Sequence, residues 1–284
     1  MKMGPLLSFC HTGRQSLKRR KSMKTGKWKN NRYLLLSVLS IAAGIFAWWL
    51  VTAGLGLVRS NILPSPDTIV RTFIKKLYDP NPEGGTLFVH LLSSLKVALS
   101  GYGLGVILGI PLGIIMAWYP RIEMTVRPVF DLVRTVPGVA WIPVMVSLAG
   151  IGLLSKALVI FISAMVATVI NSYSGIKQTK EVHLWVGQTF GASNWELLTQ
   201  IAIPSALPMI MTGCKIALGS AWTTLVAAEL LASTKGIGYM IQQARGIYRL
   251  DIVIVGMIVI GLTGAALTGV ITLIEKRVLK GGKY

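Results

Sequence analysis

Long apolar runs, broken by short polar stretches, leave this chain few ways to fold. Leu91 to Trp118 holds one charge, Lys96, in 28 residues. A helix needs about 20 apolar residues to cross a bilayer. In lipid every backbone amide and carbonyl must be satisfied internally, which leaves helices and closed barrels. These runs are continuous rather than alternating, so they read as helices. Only 14% of the residues are charged and 53% are hydrophobic, whereas soluble domains carry about a quarter charged residues. The expectation is an all-α, polytopic membrane protein with about six transmembrane helices. The spans fall near 33–58, 91–118, an interrupted stretch after Val136, 157–171, 209–232 and 252–274.

The formal net charge is +19, and ten basic residues with no acid lie in residues 1–32. That segment reads as a cytoplasmic tail, expected to be disordered, either solvated or held by anionic lipid headgroups. Residues 33–284 then form the transmembrane domain. Clustered cations stay on the cytoplasmic side, so the first span starts inside. Six spans bring the end back inside with Lys276, Arg277, Lys280 and Lys283; Arg245 and Arg249 are the outer-loop cations that oppose this orientation. The remaining positive charge is scattered between apolar runs, which argues against nucleic acid as a partner. No secretory leader is expected: the first apolar run is too long, and no small-residue cleavage pattern follows.

Catalytic machinery is missing from the pattern. Cys10 and Cys214 give neither a disulfide framework nor metal-ligand spacing. His11, His90 and His183 match no H-E-x-x-H, and neither G-x-S-x-G nor G-x-x-x-x-G-K-[ST] occurs. The last of these cradles nucleotide phosphates. If ATP drives this protein, a separate subunit binds it and needs a handle on this chain.

Several stretches carry possible roles. Ser65 and Pro66 suit a helix start, and Ile69, Val70, Phe73, Ile74 and Leu77 recur at helical spacing opposite Arg71, Lys75 and Lys76. This reads as an amphipathic helix at the outer surface, anchoring in the interface or touching a binding protein. Gly101, Gly105, Gly109 and Gly113 line one face of the second span, where small residues admit a neighbouring backbone. Pro137-Gly138, then Trp141 and Pro143, interrupt the third apolar stretch. Broken backbone at membrane depth is tolerated only inside protein or beside a water-filled cavity, so this is a pore-wall candidate, with irregular packing as the alternative. In the fifth span Ser220, Thr223 and Thr224 either solvate a small anion in passing or bond neighbouring helices. Glu229 is an ionisable group in a span, costly unless paired or facing a cavity. It is either a gate or docking residue at the outer mouth or a structural hydrogen-bond partner.

The most informative polar segment is WVGQTFGASNWELLTQIAIPSALP, Trp185 to Pro208. A helix there should stop at Gly191. Ser193 and Glu196 form an S-x-x-E capping box that starts a second short helix after Ala192. Trp195, Leu197, Leu198 and Ile201 are its apolar positions, and Pro204 is expected to end it. A helix, a glycine hinge and a capped helix suit docking into another protein's groove; an ordinary inter-helix loop is the other reading.

These residues resemble the cytoplasmic coupling loop, the EAA loop, of bacterial ABC-importer permeases. That pattern has E-A-A, three residues, a glycine, nine residues and I-x-L-P. Gly191 and Ile201-Ala202-Ile203-Pro204 stand at the matching spacing, Trp185-Val186-Gly187 replaces the E-A-A, and isoleucine replaces the leucine. The later AWTTLVAAELLASTKGIGYMI is similar to the branch that imports sulfonates, taurine, nitrate and related small anions. The likeness runs from about residue 35 to 275.

The resemblance implies a type I ABC-importer permease fold in the inner (cytoplasmic) membrane. It implies two copies of the chain around one pathway, and a dimer of ATP-binding subunits gripping a coupling segment at about 173–206. It also implies an extracytoplasmic substrate-binding protein. ATP and Mg²⁺ would sit on the partner ATPase, with no cofactor or metal in this chain. The cargo it implies is taurine or another sulfonate, then nitrate or bicarbonate, then a small heterocyclic precursor. A stand-alone secondary transporter is the rival from another class; it should show inverted repeats and buried ionisable pairs, and no repeat is visible.

Overall fold

The computed structural model describes residues 28–281 apart from Leu57 and residues 59–61; the basic stretch with Cys10 and His11 lies outside them. Among the described residues the secondary structure is helical throughout. Two compact units divide at Pro66. The first holds α1 (Trp28–Trp49), which runs into a π-helical turn, Leu50–Gly54. Leu36–Gly54 is long and apolar enough to cross a membrane. Leu36, Leu39, Ile41 and Phe46 are all at least 60% exposed, as a helix facing lipid requires.

The second unit opens on α2 (Pro66–Lys76). There follow α3 (Leu87–Trp118), α4 (Pro120–Thr135), α5 (Ile142–Ala149), α6 (Leu153–Lys177) and α7 (Glu181–Thr189). Then come α8 (Asn194–Glu196), α9 (Ile203–Leu231), α10 (Ile237–Gly246) and α11 (Leu250–Gly281). Five helical segments of the described chain are long and apolar enough to span, or six if α4 and the residues to Ala149, bent by 90° at the break, count as one.

The helices pack through small residues. Val97 and Ala98 of α3, Ile160, Ala164 and Ala167 of α6, and Ala217, Ala221, Trp222 and Leu225 of α9 form one buried cluster. The expected glycine face is the seam between α3 and α6. A Cβ on Gly101 would lie 2.6 Å from Ile160, on Gly105 2.6 Å from Ala164, on Gly109 2.1 Å from Thr168 and on Gly113 2.6 Å from the Val169 carbonyl. Residue numbers rise together along this seam, so α3 and α6 run parallel. Along α9 they run oppositely: Thr224 meets Ser163 and Gly213 meets Asn171. Lys215–Glu275 and Trp222–Ile260 make α11 antiparallel to α9. Two parallel neighbours require a return between them, and α4, a 3₁₀ turn at Gly138–Trp141 and α5 are the elements that lie there in the chain.

The ends of α3, α6 and α11 and the start of α9 therefore share one face, with the segment from α7 to α8 among them. Glu123 of α4 ties that face together, accepting from Tyr173 Oη at 2.5 Å and Lys177 Nζ at 2.9 Å at the end of α6.

The amphipathic helix also buries part of its polar side. On α2 the buried side chains are Ile69, Thr72 and Lys76, while Val70 and Ile74 are 58% and 54% exposed. Lys76 forms a buried ion pair with Glu83, and Thr72 donates to Asp251 Oδ2 at 2.8 Å. Paired polar groups can be buried without the usual desolvation loss, which leaves the apolar stripe free for the membrane interface.

Candidate coupling segment and pathway pocket

The coupling segment is built as two helical pieces around a left-handed residue. Gly191 has φ +81°, a conformation that costs other residues about 1–2 kcal/mol. Its N–H donates to the Gln188 carbonyl at 2.9 Å, and Ala192 N–H donates to the Gly187 carbonyl at 3.0 Å. These bonds close α7. Ser193 and Glu196 then form the full capping box: Ser193 Oγ accepts from Glu196 N–H at 3.3 Å, and Glu196 Oε2 accepts from Ser193 N–H at 2.7 Å.

One expectation for this segment changes. Pro204 does not end the second helix. A π-helical turn at Leu197–Ala202 passes directly into α9. The wider turn lies just before Pro204, where a proline lacks its N–H and would crowd the preceding turn, and the chain enters the fifth span without a break. Leu197 and Leu198 are buried, whereas Trp195 is 66% exposed. Leu198 and Ala202 join Ala117, Ile176, Ala206 and Ile210 in a core cluster that roots the segment in the bundle. Ile201 and Pro204 line a depression of about 360 Å³ together with His183 and Val186. Trp185, Phe190 and Trp195 of the same short segment stand 58%, 87% and 66% exposed. Large apolar side chains left exposed on one segment suit an interaction surface.

A second site lies where the chain breaks after α4. Pro137, Ser220, Thr223 and Thr224 line one cavity of about 300 Å³, and Arg134, Gly138 and Ser163 line it with them. The hydroxyls are not equivalent. Thr223 Oγ1 donates to its own helix, at 2.6 Å to the Gly219 carbonyl. Thr224 and Ser163 bond each other at 3.1 Å across α9 and α6. Ser220 Oγ has no hydrogen-bond partner among the described residues, so its proton is available to a guest.

Trp141 and Pro143 do not join this cavity. Trp141 packs against Ile142, Val159 and Ala228, and Pro143 lies in the first turn of α5. Arg134 and Ser163 escaped the sequence reading. The signal for Arg134 was a cation three residues before a proline-glycine break; a lone serine in an apolar run gives no signal for Ser163.

Glu229 does not line that cavity. It is 1% exposed, and its carboxylate accepts from Ser94 Oγ of α3 at 2.8 Å and from Gly238 N–H of α10 at 2.9 Å. Ser94 Oγ accepts from Ile237 N–H at 2.9 Å, and His90 Nδ1 from Gly236 N–H at 3.2 Å. The amides at the start of α10 thus land on α3 and Glu229. A carboxylate facing helix N-terminal amides is a stabilising arrangement, and these bonds are those of a structural hydrogen-bond partner.

Parallel and antiparallel apolar helices, an interrupted crossing beside a hydroxyl-lined cavity and an apolar handle at one face define a helical membrane transport subunit. A family model for the inner membrane component of binding-protein-dependent transport systems matches residues 109–280, and the chain belongs to that family of ABC permeases. The taurine transport system permease protein TauC of Escherichia coli K12 is 36% identical over 239 residues, 83% of this chain and 86% of that protein. A putative aliphatic sulfonates transport permease protein of Bacillus subtilis is 34% identical over 249 residues, 88% of this chain and 88% of that one. A nitrate import permease protein of Synechocystis is 30% identical over 85% of this chain and 88% of that one. Among solved structures, inward-facing forms of the MetNI methionine ABC transporter superpose with a TM-score of 0.53 at 16% identity, covering 67% of this chain and 93% of that one. That likeness establishes the type I importer fold.

Proposed function

We propose that this chain is the permease subunit of an ATP-driven importer and, as a dimer, encloses the pathway for a small anion, taurine or another sulfonate. A separate pair of ATP-binding subunits, carrying ATP and Mg²⁺, grips the segment around Gly191 from the cytoplasm, and both chain termini lie on that side. A substrate-binding protein delivers cargo from outside. The carrying observation is the exposure of Trp185, Phe190 and Trp195 on a segment that runs unbroken into α9. A push on this handle moves a spanning helix directly. The cargo reading is supported by relatives named for taurine and sulfonates and by the free Ser220 hydroxyl in the cavity.

Replacing Gly191 with proline tests the lever. Proline fixes φ near −65°, incompatible with +81°. The Gly191→Pro chain is expected to insert into the membrane and to lose coupling: uptake falls while ATP hydrolysis by the assembled importer persists or becomes independent of the loaded receptor. Normal uptake by this variant would remove the handle from the mechanism.

A further inference from the structure

We infer that Arg134 is the anion-selecting residue of the pathway cavity and grips two oxygens of a small oxyanion with its terminal guanidinium nitrogens. The inference rests on the small-anion reading above and gives it a residue. Arg134 ends α4, two residues before the Val-Pro-Gly break that leads into the cavity it lines. Its Nε is already engaged, 2.7 Å from Asp131 Oδ1. No hydrogen bond among the described residues engages Nη1 or Nη2.

That leaves the end-on edge of the fork, whose two parallel N–H groups match a pair of oxygens on one atom. Sulfonate, nitrate and bicarbonate all present such a pair. Ser220 adds a hydroxyl from α9 on the same cavity wall, and its proton is uncommitted. The other hydroxyls are bonded to the Gly219 carbonyl or to each other, so the donor set for a guest is Arg134 and Ser220.

Asp131 has two effects. Its hold on Nε keeps the guanidinium from sweeping freely, which lowers the ordering cost of binding. Its charge also cancels most of the field of Arg134 at a distance, so a passing anion is held at contact but not trapped. Arg127 is drawn away from this site: it pairs with Glu123 at 2.9 Å and lies 3.7 Å from the other Asp131 oxygen. Arg134 is thus the cation that faces the cavity.

The test uses the assembled importer, this chain with its ATPase and receptor, in vesicles with radiolabelled taurine, nitrate and bicarbonate supplied separately. Arg134→Gln is expected to lower the maximal uptake rate at saturating loaded receptor by about tenfold or more, as befits loss of a charge-assisted bidentate contact. Arg134→Lys, which keeps the charge but not the fork, should fall between. Arg127→Gln, which removes a cation of the same helix that pairs with Glu123 away from the cavity, should stay within about threefold of the parent, since exposed ion pairs are weak. Unchanged uptake with glutamine at 134 overturns the inference, and so does an Arg127→Gln loss as large as that of Arg134→Gln, which would make the effect one of positive charge on α4 and not of the cavity.

If Arg134→Gln fails to assemble, Arg134→Cys in a Cys10→Ser, Cys214→Ala background is treated with cationic or neutral thiosulfonates of similar size. Recovery with the cationic reagent alone supports the inference; recovery with both or neither overturns it. A parent importer that moves none of the three anions overturns the small-anion reading and this inference together, whereas one that moves an anion equally well without Arg134 overturns this inference alone.

Discussion

Gly103 and Gly109 stand six residues apart in sequence but in opposite environments on α3. Nothing lies within 4 Å of a Cβ built on Gly103, whereas one on Gly109 would meet Thr168 Oγ1 at 2.1 Å. Thr168 cannot yield cheaply: its Oγ1 lies 3.0 Å from the Gly105 carbonyl across the seam and 3.0 Å from Ala164 O in its own helix. Gly109→Ala should therefore force α3 and α6 apart, at a cost of about 1–3 kcal/mol for overpacking. Gly103→Ala should be neutral or stabilising by up to about 1 kcal/mol through helix propensity. Thermal unfolding of the two variants in one detergent checks the contrast, and an equal drop in both would mean that the seam is not where stability resides. The spacing of this glycine face was readable because a four-residue repeat is local. Glu229 was not, since its meaning depends on Ser94, 135 residues away in sequence, and on amides of a helix not yet placed.

At the scale of an element, local chemistry proved legible and long-range chemistry did not. Ser193 and Glu196 are three apart, and their capping box needs no other part of the chain. Ser193→Ala removes the acceptor for Glu196 N–H and should weaken the segment by about 1 kcal/mol. Hydrogen exchange at residues 194–198 should accelerate accordingly, while Thr199→Ala, whose hydroxyl only donates back to the Trp195 carbonyl, should change it little. Equal protection in the parent and in Ser193→Ala would remove the cap from the account. The buried polar pairs of α2 were not legible for the opposite reason. Helical periodicity sorts side chains by polarity, but the partners that bury Lys76 and Thr72, namely Glu83 and Asp251, come from a following loop and from α11. Proline usually stops a helix, but a π-helical turn lies just before Pro204 and the helix continues through it. The cavity combines residues from α4, α6 and α9, and no spacing rule joins three elements.

For the molecule as a whole, the direction of each helix decides what can face the cytoplasm. The basic stretch before Trp28 carries the clearest positive-inside signal. Between Asp67 and Gly281 the cations divide between the two faces, with Arg127, Lys177 and Arg277 near one and Arg71, Lys156 and Arg249 near the other, so charge alone orients that unit weakly. Packing direction is the stronger constraint. Parallel α3 and α6 put the loop before α3 and the turn between α5 and α6 on one side, and the Gly191 segment on the other. Single cysteines in the Cys10→Ser, Cys214→Ala background can read this directly. Tyr78, Met124, Ile151, Phe190 and Tyr248 are 81%, 70%, 65%, 87% and 81% exposed, so each accepts a probe; Met124 is on α4 near the Gly191 side. Cysteines at 78, 151 and 248 should react with a membrane-impermeant thiol reagent added outside intact cells, and those at 124 and 190 only after the inner face is opened. The Ile151→Cys result decides the bent pair. Labelling from outside makes α4 and α5 together a crossing, as two parallel neighbours demand, while labelling from the cytoplasm would make them a re-entrant hairpin and break the pathway built on Pro137 and Arg134.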